Sequence, residues 1–302
     1  MTILENLPFL GAGKSRDMYA VPGRADLLLI VASNRISTHN IVHLSLIARK
    51  GEVLTALVVF WCREVLEPAG IRHHVVAFGK AIYDYLPGSK DDYPDDLHLR
   101  AIVVRKLTID PVEYIYRWHL TGSLYNDYYK KGLPDPYGLD LSPGLPKMYR
   151  FDEPIFTPTE KSETDDPLPF RLVKRDYPTS CQLSFRTASL IANHLAGKGI
   201  TCVDTKEETG RDEEENLYMA DEFGTPDCSR FALTSEIREG EDPPWLDKQL
   251  ARDEAERIWK EKEKFPIKFS DEVEYMLTGT YLNIFPMIAD RSLFDFQRMY
   301  MS

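Results

Sequence analysis

Residues 202–230, CVDTKEETGRDEEENLYMADEFGTPDCSR, carry the densest set of groups able to do chemistry in this 302-residue chain. A short apolar run ends in Asp204-Thr205-Lys206, a charged turn covers Gly210 to Asn216, and a second run, Leu217 to Ala220, follows. Two such runs about a Gly/Asn/Asp turn predict a β-hairpin. The hairpin would bring Glu208, on the first arm, close to Asp221, just past the second. Two hard oxygen ligands facing one point suit Mg²⁺, which takes one or two protein carboxylates with waters and substrate phosphates. The plain alternative is an acidic hairpin facing water. Thr225-Pro226-Asp227-Cys228-Ser229-Arg230 then adds a turn bearing hydroxyls and a cation.

Three further stretches could bind anions or small molecules. Gly13-Lys14-Ser15-Arg16 is a glycine-bearing turn with two cations. Its backbone N–H groups could approach phosphate oxygens, although GxxxxGK[ST] is absent and a simple hairpin turn reads equally well. Ser33 to Asn40 is a dense polar segment directly after an apolar strand, Leu27 to Ala32. Leu120-Thr121-Gly122-Ser123 opens a helix over 124–131; with Arg117 nearby it makes either an anion pocket or an ordinary hydroxyl cap.

The elements that would position these groups alternate between short strands and helices. Strands are expected over His74–Phe78, Ala101–Leu107 and Pro111–Arg117, and a helix begins near Leu54 with Leu57, Val58 and Trp61 at helical spacing. Leu107–Pro111 could cross between two lobes. Leu133 to Pro178 holds nine prolines and reads as one long loop, either functional or disordered; within it Lys161 sits beside hydroxyls. Helices are expected over Asp176–Lys198 and, charged and amphipathic, Trp245–Lys264. The aromatic tail, Tyr275 to Met301, should pack back on the body.

Composition is that of a soluble globular chain, with 43% hydrophobic and 28% charged residues. A net charge of −11 gives no broad attraction to nucleic acid or anionic membrane. Cys62, Cys181, Cys202 and Cys228 have neither CxxC nor metal-ligand spacing, which points to reduced thiols and a cytoplasmic location. The first residues lack the basic-then-apolar pattern of a signal peptide, and no run of about 18 apolar residues would span a membrane.

Taken in order, the motifs resemble the SAICAR synthetase family. The resemblance rests on Gly13 to Tyr19, Arg35-Ile36-Ser37, Lys50 to Thr55, Pro111-Val112-Glu113, Leu120 to Ser123, Glu153 to Pro158 with Lys161 and Glu163, Asp204-Thr205-Lys206, Thr225-Pro226-Asp227 with Ser229-Arg230, and Lys248-Gln249. It covers roughly residues 11–253. It implies an α+β fold of two lobes with antiparallel sheets and an ATP cleft between them. The lobes would be residues 1–108, β-rich and on the ATP phosphate side, and residues 109–302, with the metal and ribonucleotide site and the C-terminal helices.

The implied reaction is an ATP-dependent ligation. The carboxylate of a carboxy-aminoimidazole ribonucleotide, activated as an acyl phosphate, forms an amide with an amino-acid-like amine, aspartate in the family. By the same resemblance Lys206, Glu208 and Asp221 are catalytic, and Glu208 and Asp221 hold Mg²⁺. Gly13, Lys14, Ser15, Arg16, Lys106 and Leu107 contact ATP. Asn34, Arg35, Ser37, Asn40, Arg117, Thr121, Gly122, Ser123, Lys161, Asp227, Ser229 and Arg230 contact the substrates. Neither nucleic acid nor membrane is an expected partner, and monomer and homo-oligomer both stay open.

The chain departs from the family pattern in several places. Asn34 and Asn40 stand where the family has carboxylates, Trp118-His119 replaces Gly-Tyr, and Lys206-Glu207-Glu208-Thr209-Gly210 replaces Lys-Phe-Glu-Phe-Gly. Glu160 precedes the motif lysine, and Asp165-Asp166 stands in place of His-Asp. An amide cannot act as a general base or counter an ammonium as a carboxylate does. These changes support an alternative: a paralogue using another ribonucleotide or amine in nucleoside-analogue biosynthesis, or a non-catalytic nucleotide-binding relative.

Overall fold

The computed structural model describes residue 4 and residues 7–260 and 263–302. The opening residues read above for a signal peptide, and the expected helix where it crosses 261–262, lie partly outside the described residues. Contacts divide the chain into two units. One holds the chain up to Glu64, His74–Leu107 and Asp247–Ser302; the other holds Val65–His73 and Thr108–Leu246.

The first unit opens with β1 (Phe9–Ala12), β2 (Arg16–Val21) and β3 (Arg24–Ala32), three antiparallel strands joined by tight turns. The small hairpin β4 (Arg35–Thr38) and β5 (Ile41–Leu46) turns at His39-Asn40, both with positive φ. Asparagine is among the few residues that tolerate that conformation, which suits a two-residue hairpin turn. Helix α1 (Lys50–Phe60) is buried on nearly every side, so it is a core helix without a wet face. Its start lies against the end of β3: a Cβ on Gly51 would sit 2.7 Å from the Ala32 carbonyl oxygen, so only glycine fits. Then come β6 (Val75–Phe78), the short α2 (Leu97–Arg100) and β7 (Ala101–Arg105), which complete a sheet of order β1-β2-β3-β7-β6.

The second unit is built around one long strand. It runs β8 (Thr108–Ile109), β9 (Val112–His119), β10 (Arg150–Phe156), β11 (Thr159–Glu160), α3 (Phe170–Asp176), α4 (Pro178–Ala196), β12 (Ile200–Arg211), β13 (Leu217–Ala220) and β14 (Ser229–Leu233). Central β12 pairs antiparallel with β9, β13, β14 and β8. The expected hairpin is β12–β13, with Glu208 opposite Ala220. The proline-rich 133–178 segment is not one loop. It contains β10, β11 and α3, and Pro154 falls where the ladder is interrupted, in the irregular stretch between Arg150 and Ile155 on an outer strand.

The chain then forms α5 (Gln249–Trp259), α6 (Asp271–Ala289) and α7 (Leu293–Tyr300), all of which group with the first unit. The division thus differs from the 109–302 lobe expected from sequence. The reason is the aromatic tail: Phe296 packs on Phe60 of α1 and on Phe285, and the Lys50 ammonium lies 5.4 Å from the Tyr281 ring centre. No helix among the described residues is long and apolar enough to cross a membrane.

Candidate active site

Because side chains alternate along a strand, β12 presents Asp204, Lys206 and Glu208 on one face and Thr205, Glu207 and Thr209 on the other. Register sets their neighbours: Asp204 lies opposite Arg117 and Arg230, and Lys206 opposite Ile115. Glu113 and His119 share the Arg117 face of β9. The result is a front face of charges in two groups.

At the Asp204 end, one buried carboxylate lies between two guanidinium groups. Arg117 Nη1 donates to Asp204 Oδ2 at 2.8 Å, and Arg230 Nε donates to Oδ1 at 2.9 Å, with Arg230 Nη2 also on Oδ2. Arg117 is fixed further by Thr157 Oγ1 at 2.9 Å and by the Ser123 hydroxyl at 3.5 Å. Gly122, with φ of 62°, passes directly against the Arg230 guanidinium, where a Cβ would collide with it. Thr121 beside it is fully buried. His119, on β9 just beyond Arg117, is buried too; burial, then nearby Arg150, lowers its pKa to about 4, against the pull of Asp204.

At the Glu208 end, two carboxylates share two ammonium groups. Lys206 Nζ donates to Glu208 Oε1 at 2.6 Å and to Glu113 Oε1 at 2.8 Å, and Lys161 Nζ donates to Glu208 Oε2 at 2.5 Å. Burial works against the Lys206 charge, yet Glu208 and Glu113, then Asp221, hold its pKa well above the ordinary lysine value. Asp221 follows the residue paired with Glu208, in the left-handed region at φ of 58°. The donor set is hard oxygen already holding cations, which fits a divalent metal. Among the described residues no group of three or more His, Cys, Asp or Glu could hold a metal alone.

Register corrects one expectation. Ser229 is paired with Thr205, so its side chain lies on the rear face, away from Arg230. Its hydroxyl meets Thr205 Oγ1 at 2.7 Å, and Thr205 donates to buried Glu207 at 3.0 Å. Asp227 is half-buried in the preceding turn, its N–H donating to Thr225 Oγ1. Two residues of the front face were missed as site residues, Glu113 and Asp204. Their signal was present: Asp204-x-Lys206-x-Glu208 and Glu113-x₃-Arg117 are same-face spacings on strands.

In the first unit, the turn Gly13–Arg16 is closed by Gly13 N–H on the Arg16 carbonyl at 2.6 Å. Arg35 holds it, with Nη2 donating to the Gly13 carbonyl at 3.1 Å and to Asp17 at 2.7 Å. Ser15 accepts from the Ser33 N–H and hydroxyl, and Lys14 Nζ donates to Asn40 Oδ1 at 2.6 Å. Asn34 Oδ1 accepts the Gly51 N–H at 3.0 Å at the start of α1. Ser37 is buried on β4. Lys106 is exposed, its N–H on the Asp26 carbonyl, and Leu107 ends this part of the unit. Both asparagines therefore do local structural work here: Asn34 accepts an N–H of the first turn of α1 and Asn40 steadies a lysine.

Residues 9–266 match the family model described as SAICAR synthetase. The phosphoribosylaminoimidazole-succinocarboxamide synthase of Saccharomyces cerevisiae is 36% identical over 260 residues, covering 82% of this chain and 83% of that protein. The synthase of that name from Bordetella petrii is 38% identical over 264 residues, covering 83% and 84%. Among solved structures, the Saccharomyces cerevisiae SAICAR synthase complexed with SAICAR superposes with a TM-score of 0.83 at 31% identity, covering 97% of this chain and 98% of that one. Family-model match, identity and fold agree over most of the length: the chain belongs to the SAICAR synthetase family.

Proposed function

We propose that this protein is an ATP-dependent carboxylate–amine ligase that joins carboxy-aminoimidazole ribonucleotide to aspartate. The observation that carries the reading is the split front face of β12, found in a chain of this family. A carboxylate oxygen of the ribonucleotide attacks the γ-phosphorus of ATP, and ADP leaves. The aspartate amine then attacks the acyl phosphate carbon, inorganic phosphate departs, and the amine loses a proton.

We assign the ribonucleotide phosphate and ring to Arg117, Ser123 and Arg230, with Thr121 and Gly122 shaping the contact. Two guanidinium groups around one aspartate leave a positive charge over, and arginine's rigid fork suits phosphate. We assign Mg²⁺ to Glu208 and Asp221. When bound, the ion shields the transferring phosphoryl group. Lys206 and Lys161 supply further positive charge beside it. Gly13, Lys14, Ser15 and Arg16, with Lys106 and Leu107, are assigned to ATP. A reducing, cytoplasmic setting fits the four free thiols.

The altered-substrate alternative is not favoured. Its main support was the pair Asn34 and Asn40, and both amides have partners within their own unit. The test is coupled ADP release and product mass with ATP, Mg²⁺, carboxy-aminoimidazole ribonucleotide and aspartate. One ADP per succinylcarboxamide formed, with no product when aspartate is left out, is expected. ADP release without product, or product only with another amine, would overturn the reading.

A further inference from the structure

The rear face of β12 holds a hub that the reaction above does not use. Asp110, buried between β8 and β9, accepts three hydroxyl donors on Oδ2: Ser180 at 2.6 Å, Thr209 at 2.7 Å and Tyr114 at 2.9 Å. Its own N–H donates to the Thr209 carbonyl at 3.0 Å. Each strand partner is the chain neighbour of a front-face carboxylate. Thr209 follows Glu208 on β12, and Tyr114 follows Glu113 on β9. The next residue, Pro111, accepts the Lys161 N–H at 3.1 Å. Thr159, two residues before Lys161, donates its hydroxyl to Glu113 Oε2 at 2.9 Å. Ser180 ties the hub to α4.

We propose that Asp110 is a positioning residue that fixes, from behind, the spacing of Glu113, Glu208 and Lys161. The inference rests on the metal assignment to Glu208 made above. Three hydroxyls from β9, α4 and β12 converge on one Asp110 oxygen, so a single acceptor pins these three elements at one point. The front face alone does not set the spacing, because its ammonium groups are on long, rotatable stems.

The test is Mn²⁺ binding in the presence of ADP, followed by the free-Mn²⁺ paramagnetic signal on the full-length protein. Thr209→Val removes the hydroxyl at nearly constant volume, Thr209→Ser keeps it, and Ser180→Ala removes a second donor. Glu208→Gln is the control for the metal assignment. Thr209→Val should weaken Mn²⁺ on the order of 10-fold, as loss of an outer-shell partner does. Ser180→Ala should weaken it less, Thr209→Ser should bind as the wild type does, and ribonucleotide affinity should hold in all three. If Glu208→Gln weakens Mn²⁺ while Thr209→Val and Ser180→Ala do not, the positioning role is overturned and the metal assignment stands. If Glu208→Gln leaves Mn²⁺ binding intact, both fail. Equal loss of Mn²⁺ and ribonucleotide in Thr209→Val would show general loosening and would also overturn the role.

Discussion

The two ends of the β12 front face are built from opposite choices of cation. At Asp204 one carboxylate is held by two arginines, both nearly buried; at Glu208 two carboxylates are held by two lysines that reach water. Four residues of strand put the two ends about 13 Å apart. The arginine end is fixed in geometry and has a positive charge in excess, so it is suited to an anion of set shape. The lysine end pairs two ammonium groups with two carboxylates, and its compact ammonium groups sit on flexible stems. One strand thus carries a fixed arginine cluster at one end and an adaptable lysine cluster at the other.

The largest effect should come from Asp204→Ala. It strips the counter-charge from two buried guanidinium groups, and breaking such a pair costs about 3–5 kcal/mol. Denaturant unfolding is the check, and an unchanged midpoint would mean the arginines are not held by Asp204. Asp221→Asn should leave folding intact and lower Mg²⁺-dependent ATP turnover by about 3 kcal/mol in the barrier, near 100-fold. Turnover at the parent rate would remove Asp221 from the metal site.

The two ends should also differ in acid. Buried neutral His119 belongs to the arginine end, with a pKa of about 4 against 6.5 for the free side chain. Below pH 6.5 the unfolded chain takes up a proton that the folded one refuses, so stability falls as pH drops from 6.5 toward 4. The loss is on the order of 2–3 kcal/mol, and His119→Tyr should abolish it. Glu113 belongs to the lysine end. Burial opposes its charge, but Lys206, then Thr159 and Lys161, keep its pKa below the ordinary 4.5. Its stabilising contribution is present above pH 4.5 and is lost as pH falls through the lowered value. Stability curves of wild type and His119→Tyr that coincide between pH 6.5 and 4.5 would contradict the assignment.

The smallest effect lies outside this face. Asn34→Ala should cost about 1 kcal/mol of stability through the lost helix cap, seen in unfolding. A loss of aspartate affinity with unchanged stability would return Asn34 to the acceptor side.

What could be read from sequence was local. The β12–β13 hairpin was legible because apolar runs, turn residues and charges all lie within about 20 positions. Arg117, Lys206, Glu208 and Arg230, expected from the family motifs, come together on one face of β9, β12 and β14. The facing of Ser229 was not legible because a motif gives proximity and not facing; the pairing with Thr205 puts it on the rear. Asp110 could not be found, since its three donors come from β9, α4 and β12, and no spacing links them. The strands within 133–178 were hidden because prolines on an outer strand look like loop. The C-terminal helices were assigned to the wrong neighbours because aromatic stripes show that a helix packs, not on what.

The most direct measurement is a crossed pair of calorimetric titrations. Wild type, Arg230→Ala and Glu208→Gln are each titrated with carboxy-aminoimidazole ribonucleotide and with Mg²⁺·ADP. Arg230→Ala should lose roughly 1.5–3 kcal/mol of ribonucleotide affinity and keep Mg²⁺·ADP, while Glu208→Gln should do the reverse. Loss of the same ligand in both variants, or the opposite crossing, would contradict the division of the strand into a phosphate anchor and a metal site.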